Sequence, residues 1–366
     1  MFEQYLKEWK PTGEIYKSGG IGVDQPKRHF PITERENMLR ALRKEKPMYI
    51  NTSIDTTRFS PRIIPDNVVR HWTIEGKPIE FDKDEITVGK DMFGAEWEFV
   101  PVTGGSMVRG EGDEVIIKDI AHWEDYVTIP DFDSWDWEGS IADNKEYLEN
   151  SKDRLLKWNF LTGGCNERLI ALFGFVNTML AYVDEDQQPH VHRLFDKIVT
   201  LYDDLIDRFK KSYDVNIMMP NDDWGTQRAP QFSNDVAREM LVPYLKRIGE
   251  SCHKRDIFLE LHCCGKNDRL APVIAEAGVD TWVPQEINDM EIIFNAIGDK
   301  VLLGALTPGE KIEMTDEECW AGAKAFMEKY YYPSNGHIIY NAGYAATTNP
   351  KMKEYLYCLS REFYDA

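Results

Sequence analysis

The run Phe258-Leu259-Glu260-Leu261-His262-Cys263-Cys264-Gly265 carries an apolar stretch into an imidazole, two thiols and a glycine. It reads as a buried strand that presents soft metal ligands at its C-terminal tip. His262 and Cys264 stand two residues apart, so on an extended backbone they point to the same side. Imidazole and thiolate together favour zinc among the common cellular metals, and a zinc site needs at least one further ligand. The same stretch also suits a core strand with small thiols as filler and a hydrogen-bonded histidine. Its surroundings have to separate the two.

Outward from this run, apolar strand patterns recur at Asn216–Pro220, Ile257–Leu261, Asp280–Val283, Val301–Leu306 and His337–Tyr340. Helical patterns follow them at about 234–254, 268–277, 290–297, 315–330 and 350–363. Such alternation predicts a parallel sheet covered by helices. A Gly-rich dinucleotide fingerprint is missing, which favours a (β/α)8 TIM-type barrel over a doubly wound sheet.

Upstream, Thr33-Glu34-Arg35-Glu36 reads as a capping box opening a helix through Leu42, and Met48–Ile54 as the first strand. Residues 1–32 carry no periodicity and read as an irregular N-terminal arm, leaving 33–366 as one barrel domain. Short alternating segments broken by Gly and Asp at about 72–137 predict an inserted β-rich loop region. Asn144–Trp158 reads as a charged helix and Leu169–Val176 as a short apolar segment in which Phe173 and Phe175 approach the site. A long amphipathic helix is expected from about Asp186 to Ser212. His190 and His192 at its start read as solvated residues, and Cys165, Cys252, Cys319 and Cys358 as packing residues.

In a parallel barrel, the residues just after each strand meet at one open face. Here they are Asn221, Asp222, Asp223 and Trp224; His262, Cys263 and Cys264; Gln285 and Glu286; Thr307 and Pro308; and Asn341, Gly343 and Tyr344. Polar and metal-capable groups at five successive strand ends favour a functional site over core filler. Neighbouring aspartates on a strand tip face opposite ways, and Asp223 is taken as the inward one. The same parity weakens a nucleophilic pair between His262 and Cys263.

Composition narrows the partners. A net charge of −20 disfavours nucleic acid and anionic membrane surfaces. With a mean hydropathy of −0.48 and no run of 18 apolar residues, no membrane span is expected. Six cysteines in 366 residues, two of them adjacent, suit reduced thiols in a cytoplasmic protein better than a disulfide framework.

Thr33–Leu42, Lys46-Pro47, Asp222-Asp223, His262-Cys263-Cys264-Gly265 and Asn341-Ala342-Gly343-Tyr344 with Pro350 resemble the uroporphyrinogen decarboxylase superfamily. Decarboxylases of that group carry an Arg-rich, Gly-Arg-Tyr-containing motif for substrate carboxylates. The matching region, Asp55-Thr56-Thr57-Arg58-Phe59-Ser60-Pro61-Arg62, lacks it. His262-x-Cys264-Gly265 instead resembles the zinc-dependent corrinoid methyltransferases, which implies His262 and Cys264 as zinc ligands. Coenzyme M methylating members add a C-terminal Cys, where this chain has Tyr344. Tyr344, Glu286 or Asp223 is then left to complete the site.

Lys90-Asp91-Met92-Phe93-Gly94-Ala95-Glu96-Trp97 and Gly104-Gly105-Ser106-Met107 resemble the aryl methyl ether O-demethylating methyltransferases. That resemblance implies methyl transfer from a small methoxylated aromatic to the cob(I)alamin of a separate corrinoid protein docked over the barrel mouth. Zinc or a carboxylic acid such as Asp223 would activate the ether oxygen. Phe173, Phe175, Trp224 and Tyr344 would line an aromatic pocket, and Asn341 or Gln285 would hold ring substituents. The cobalamin would belong to the partner, since this chain has no Asp-x-His-x-x-Gly pattern. The alternatives are transfer from a methylcorrinoid protein to a thiol or folate, and a noncatalytic corrinoid-protein-binding module.

Overall fold

A computed structural model describes residues 2–65, 71–80, 82, 84–103, 105–109, 115–307, 311–342 and 349–366. The first 32 residues are more ordered than their composition suggests. They form helix α1 (Glu3–Glu8) and a hairpin of β1 (Pro11–Tyr16) with β2 (Gln25–Arg28). A helix this short and a largely exposed hairpin carry almost no periodicity for a sequence reading to catch. Helix α2 (Glu34–Leu42) starts where expected, with the Thr33 hydroxyl accepting from the Glu36 N–H at 3.1 Å.

The first two barrel strands, β3 (Asn51–Thr52) and β4 (Thr56–Phe59), follow each other directly. An antiparallel sheet follows, built from β5 (Val88–Lys90), β6 (Glu96–Val100) and β7 (Gly105–Val108). The Lys90–Trp97 motif turns around Asp91, whose carboxylate accepts the N–H groups of Phe93 and Ala95 and the Trp97 indole. Gly104 lies outside the described residues.

The expected helix over 144–158 divides. Helix α3 (Trp137–Asn150) ends before Ser151, and β8 (Leu155–Phe160) is a strand buried at all six positions. Lys157 disguises that strand. Inside the barrel its ammonium meets Glu260 at 2.8 and 3.0 Å, which makes a cation tolerable in an apolar run. The apolar segment at 169–176 is helical, in α4 (Cys165–Phe173) and α5 (Phe175–Ala181), separated by Gly174 at φ +83°.

Helix α6 (Gln188–Tyr213) buries Val191, Leu194, Phe195, Ile198, Leu205 and Phe209. His192 is hydrogen-bonded to the Tyr244 hydroxyl at 2.7 Å. Strand β9 (Ile217–Pro220) leads to α7 (Asn234–Met240) and α8 (Val242–His253), one expected helix interrupted at Leu241 ahead of Pro243. The remainder alternates as read: β10 (Phe258–Leu261), α9 (Ala271–Glu276), β11 (Thr281–Trp282), α10 (Met290–Ile297), β12 (Leu302–Ala305), α11 (Asp316–Phe326), β13 (Ile338–Tyr340) and α12 (Pro350–Asp365).

Eight parallel strands lie in the order β3-β13-β12-β11-β10-β9-β8-β4. The two edge strands are consecutive in the chain and only residues 53–55 separate them, so the sheet curls round until its edges meet. This is the α/β TIM-type barrel the strand–helix alternation predicts, with no helix between β3 and β4. Every strand end faces the same way, which gathers the loops after β9, β10, β11 and β13 on one rim.

Candidate functional site

Pairing between β9 and β10 runs on past both strands. The His262 N–H donates to the Pro220 carbonyl at 3.2 Å, and the Asp222 N–H to the His262 carbonyl at 3.0 Å. This extension keeps the two tips parallel, so alternation sorts the neighbouring acids and thiols into two sets.

Asp222 and Cys263 turn into the protein. Asp222 is 2% exposed and accepts the Glu167 N–H at 2.9 Å and the Trp224 indole N–H at 2.8 Å. It thereby anchors the first turn of α4 to the end of β9. Burial pushes its carboxyl up to about 6 against the pull of those hydrogen bonds. Cys263 accepts the Trp224 N–H at 3.4 Å and the Asn267 amide at 3.2 Å.

Asp223, His262 and Cys264 converge. One ligand atom from each lies within 4.8 Å of the others, and no second group of three or more such residues does so among the described residues. The His262 Nε2 is 3.2 Å from the Cys264 sulfur, and the Cys264 N–H donates to Asp223 Oδ1 at 2.8 Å. Burial, and then the Asp223 charge, hold the Cys264 thiol well above its usual range. Removal from water pushes the His262 imidazole down, while Asp223 and Glu260 oppose that shift. Burial thus favours the neutral thiol and the neutral imidazole. Imidazole nitrogen, thiolate sulfur and carboxylate oxygen form a donor set that fits zinc, and two anionic donors balance a divalent charge. A metal held there would use Asp223, His262 and Cys264.

The other expected site residues spread out. Gln285 does reach the group: its Oε1 accepts the Gly265 N–H at 2.7 Å and its Nε2 stands 3.3 Å from the Cys264 sulfur. Glu286 is exposed and outside the converging group, although its neighbour Gln285 reaches it. Trp224 is not a pocket wall. It is fully buried, tied to Asp222 and edge-on to Phe232, so its ring is core. Phe173 is likewise packed in the main core, and Phe175 stands 39% exposed at the start of α5. Asn341 continues β13, with its N–H on the Ala305 carbonyl at 2.7 Å and its Oδ1 accepting from Ser53 Oγ at 3.3 Å. Tyr344 and Pro308 lie outside the described residues.

Three supporting residues escape a sequence reading. Asn166 donates to the Asp223 carbonyl at 2.8 Å, and Asn267 to the Cys264 and Gly265 carbonyls at 2.7 and 3.2 Å. Asn288 donates to the Gly265 carbonyl at 3.0 Å. All three sit in loops or a first helical turn, and the only local signal is the Gly265-Lys266-Asn267-Asp268 turn. Gly265 is required there: its φ is +90°, and a Cβ would stand 2.2 Å from the Gly225 carbonyl carbon.

A family model for uroporphyrinogen decarboxylase (URO-D) matches residues 175–356, the span that contains both converging strand tips. This part of the chain resembles the URO-D family. No curated protein matches the sequence. Among solved structures, a methyltransferase from Methanosarcina mazei is similar at 13% identity and a TM-score of 0.58, over 92% of this chain and 100% of that one. At that identity the likeness supports the barrel and no more. A D-psicose 3-epimerase from Clostridium cellulolyticum H10 follows at 11% identity and a TM-score of 0.34, covering 62% of this chain and 83% of that one, too weak to bear on function. Among the described residues no helix is long and apolar enough to cross a membrane.

Proposed function

We propose that this chain is a methyltransferase of the URO-D type that takes a methyl group from an aryl methyl ether and passes it to the reduced corrinoid of a separate protein. The observation that carries the reading is the convergence of Asp223, His262 and Cys264 at the C-terminal rim of the barrel. The motifs at 90–97 and 104–107 support the ether as donor, and the resemblance of His262-x-Cys264-Gly265 to corrinoid methyltransferases supports the reaction class.

In the overall reaction the methyl carbon–oxygen bond breaks, and its electron pair stays with the phenolic oxygen, which takes up a proton. The methyl carbon bonds to the cobalt of the partner's cob(I)alamin through the cobalt's own electron pair. A phenolate leaves poorly unless its developing charge is met. Zinc, when bound by His262 and Cys264, supplies a Lewis acid for that oxygen. Asp223 has Oδ1 engaged by the Cys264 N–H, which orients its other oxygen to complete the ligand set or to carry the proton. Asp222 fixes the strand end behind it through α4. The −20 charge of the chain suits a neutral methoxyarene better than a polycarboxylate.

The reading is tested by incubating the protein with reduced corrinoid protein and a panel of methoxyarenes. Methylcobalamin should form with release of one phenol per methyl. Methylation of a thiol or folate from methylcorrinoid protein, with no ether cleaved, would overturn the donor assignment.

A further inference from the structure

Gln285 was expected to hold a substituent of the substrate ring, and its hydrogen bonds suggest a different task. The Gly265 N–H donates to its Oε1 at 2.7 Å. Only the amide oxygen can accept that hydrogen, so the orientation of the amide is fixed, and its NH2 group must turn toward the Cys264 sulfur at 3.3 Å. The loop that carries it is braced as well. Asn288 donates from Nδ2 to the Gly265 and Gln285 carbonyls, each at 3.0 Å, and the Asn267 N–H donates to Asn288 Oδ1 at 2.5 Å. The turn after β11 thus clamps the turn after β10.

We propose that Gln285 is a positioning residue for the metal-binding thiolate: its amide donates an N–H to the Cys264 sulfur rather than to substrate. This rests on the metal centre and activity proposed above. Donation from the amide withdraws electron density from sulfur, so the thiolate gives less charge to the ion. The ion then remains a stronger Lewis acid toward an ether oxygen. The same bond limits rotation of the Cys264 side chain, so sulfur stays beside His262 Nε2.

The test uses full-length protein loaded with cobalt(II) in place of zinc, comparing wild type with Gln285→Glu and Gln285→Met. Glutamate keeps an acceptor for the Gly265 N–H and loses the donor but adds a negative charge, while methionine loses both hydrogen bonds without adding charge, so only a shift shared by the two reports the lost N–H; circular dichroism checks that each variant folds. The sulfur-to-cobalt charge-transfer band is expected to move to longer wavelength in both variants. Metal affinity should fall by about tenfold, at the low end for lost outer-shell partners, with KM for the methoxyarene within about twofold. An unmoved band together with a KM raised tenfold would overturn the inference and return Gln285 to the substrate. An unmoved band with unchanged KM would overturn it too. A moved band in a protein that transfers no methyl group would leave Gln285 in this role and reject the activity. Failure of wild type to bind cobalt would reject the metal centre and this inference together.

Discussion

The two ends of the barrel handle buried charge in opposite ways. At the floor, Arg154 precedes β8 and meets both oxygens of Glu34 at 2.6 and 2.9 Å, with its guanidinium 3.8 Å over the Tyr16 ring. Nearby, Asp55 accepts the Thr52 N–H and hydroxyl at 2.6 and 2.7 Å. At the rim, Asp223, His262 and Cys264 gather with no lysine or arginine ion-paired to Asp223 among the described residues. The floor neutralises itself and ties the N-terminal hairpin and α2 to the barrel. The rim leaves two acidic donors for something else to balance. Charge closed within the fold serves stability, and the charge left open at strand C-termini is where the proposed chemistry would sit.

That division can be broken in graded ways. Arg154→Leu should have the largest effect on folding, because it leaves Glu34, 6% exposed, buried without its partner. A loss of about 3–5 kcal/mol is expected in urea unfolding, with zinc content per folded chain unchanged. A folded variant that lost zinc would show that the two ends are coupled.

Gly265→Ala acts at the rim but through the backbone. The left-handed φ and the approach to Gly225 should cost about 2–4 kcal/mol. Because the alanine displaces the turn that carries Cys264, zinc affinity should fall as well, measured by competition with a chelator. Unchanged affinity would mean that the loop relaxes without moving the sulfur.

A pH dependence sharpens the floor. Burial, and then the Glu34 charge, push Asp55 up to about 6 from 3.8, against the help of Arg154 and Thr52. The folded chain therefore binds more protons than the unfolded chain between these values. Its contribution to stability is greatest below about pH 4 and is lost as pH rises to about 6. Unfolding of Asp55→Asn, followed over pH 4–7, should lack this loss, and an identical slope in both proteins would count against the assignment.

The smallest folding effect belongs to the group itself. Asp223→Asn in metal-free protein should change stability by less than about 1 kcal/mol, since it removes no ion pair and keeps an acceptor for the Cys264 N–H. A larger loss would make Asp223 part of the scaffold, like Asp222.

What could be read in advance follows the same division. The five C-terminal strands are legible because both faces are buried and helices separate them. Strand β8 is hidden by Lys157, whose partner Glu260 lies 103 residues away in sequence. Parity along the strand tips puts Asp223 and Asp222 on opposite sides and groups Cys264 with His262, and the family resemblance is what marks Cys264 rather than Cys263 as a ligand. Neither reveals that Trp224 folds back on Asp222, or that Gln285 faces a thiol, because contacts between loops decide both. The N-terminal hairpin is held by long-range contacts such as Arg154 on Tyr16, which no local pattern encodes.

The central claim is that the open charge at the rim is a metal site. Zinc measured in purified wild-type protein and in Cys264→Ala tests it most directly. The account predicts about one zinc per wild-type chain and loss of that zinc in the folded variant. Equal zinc in both proteins would contradict it.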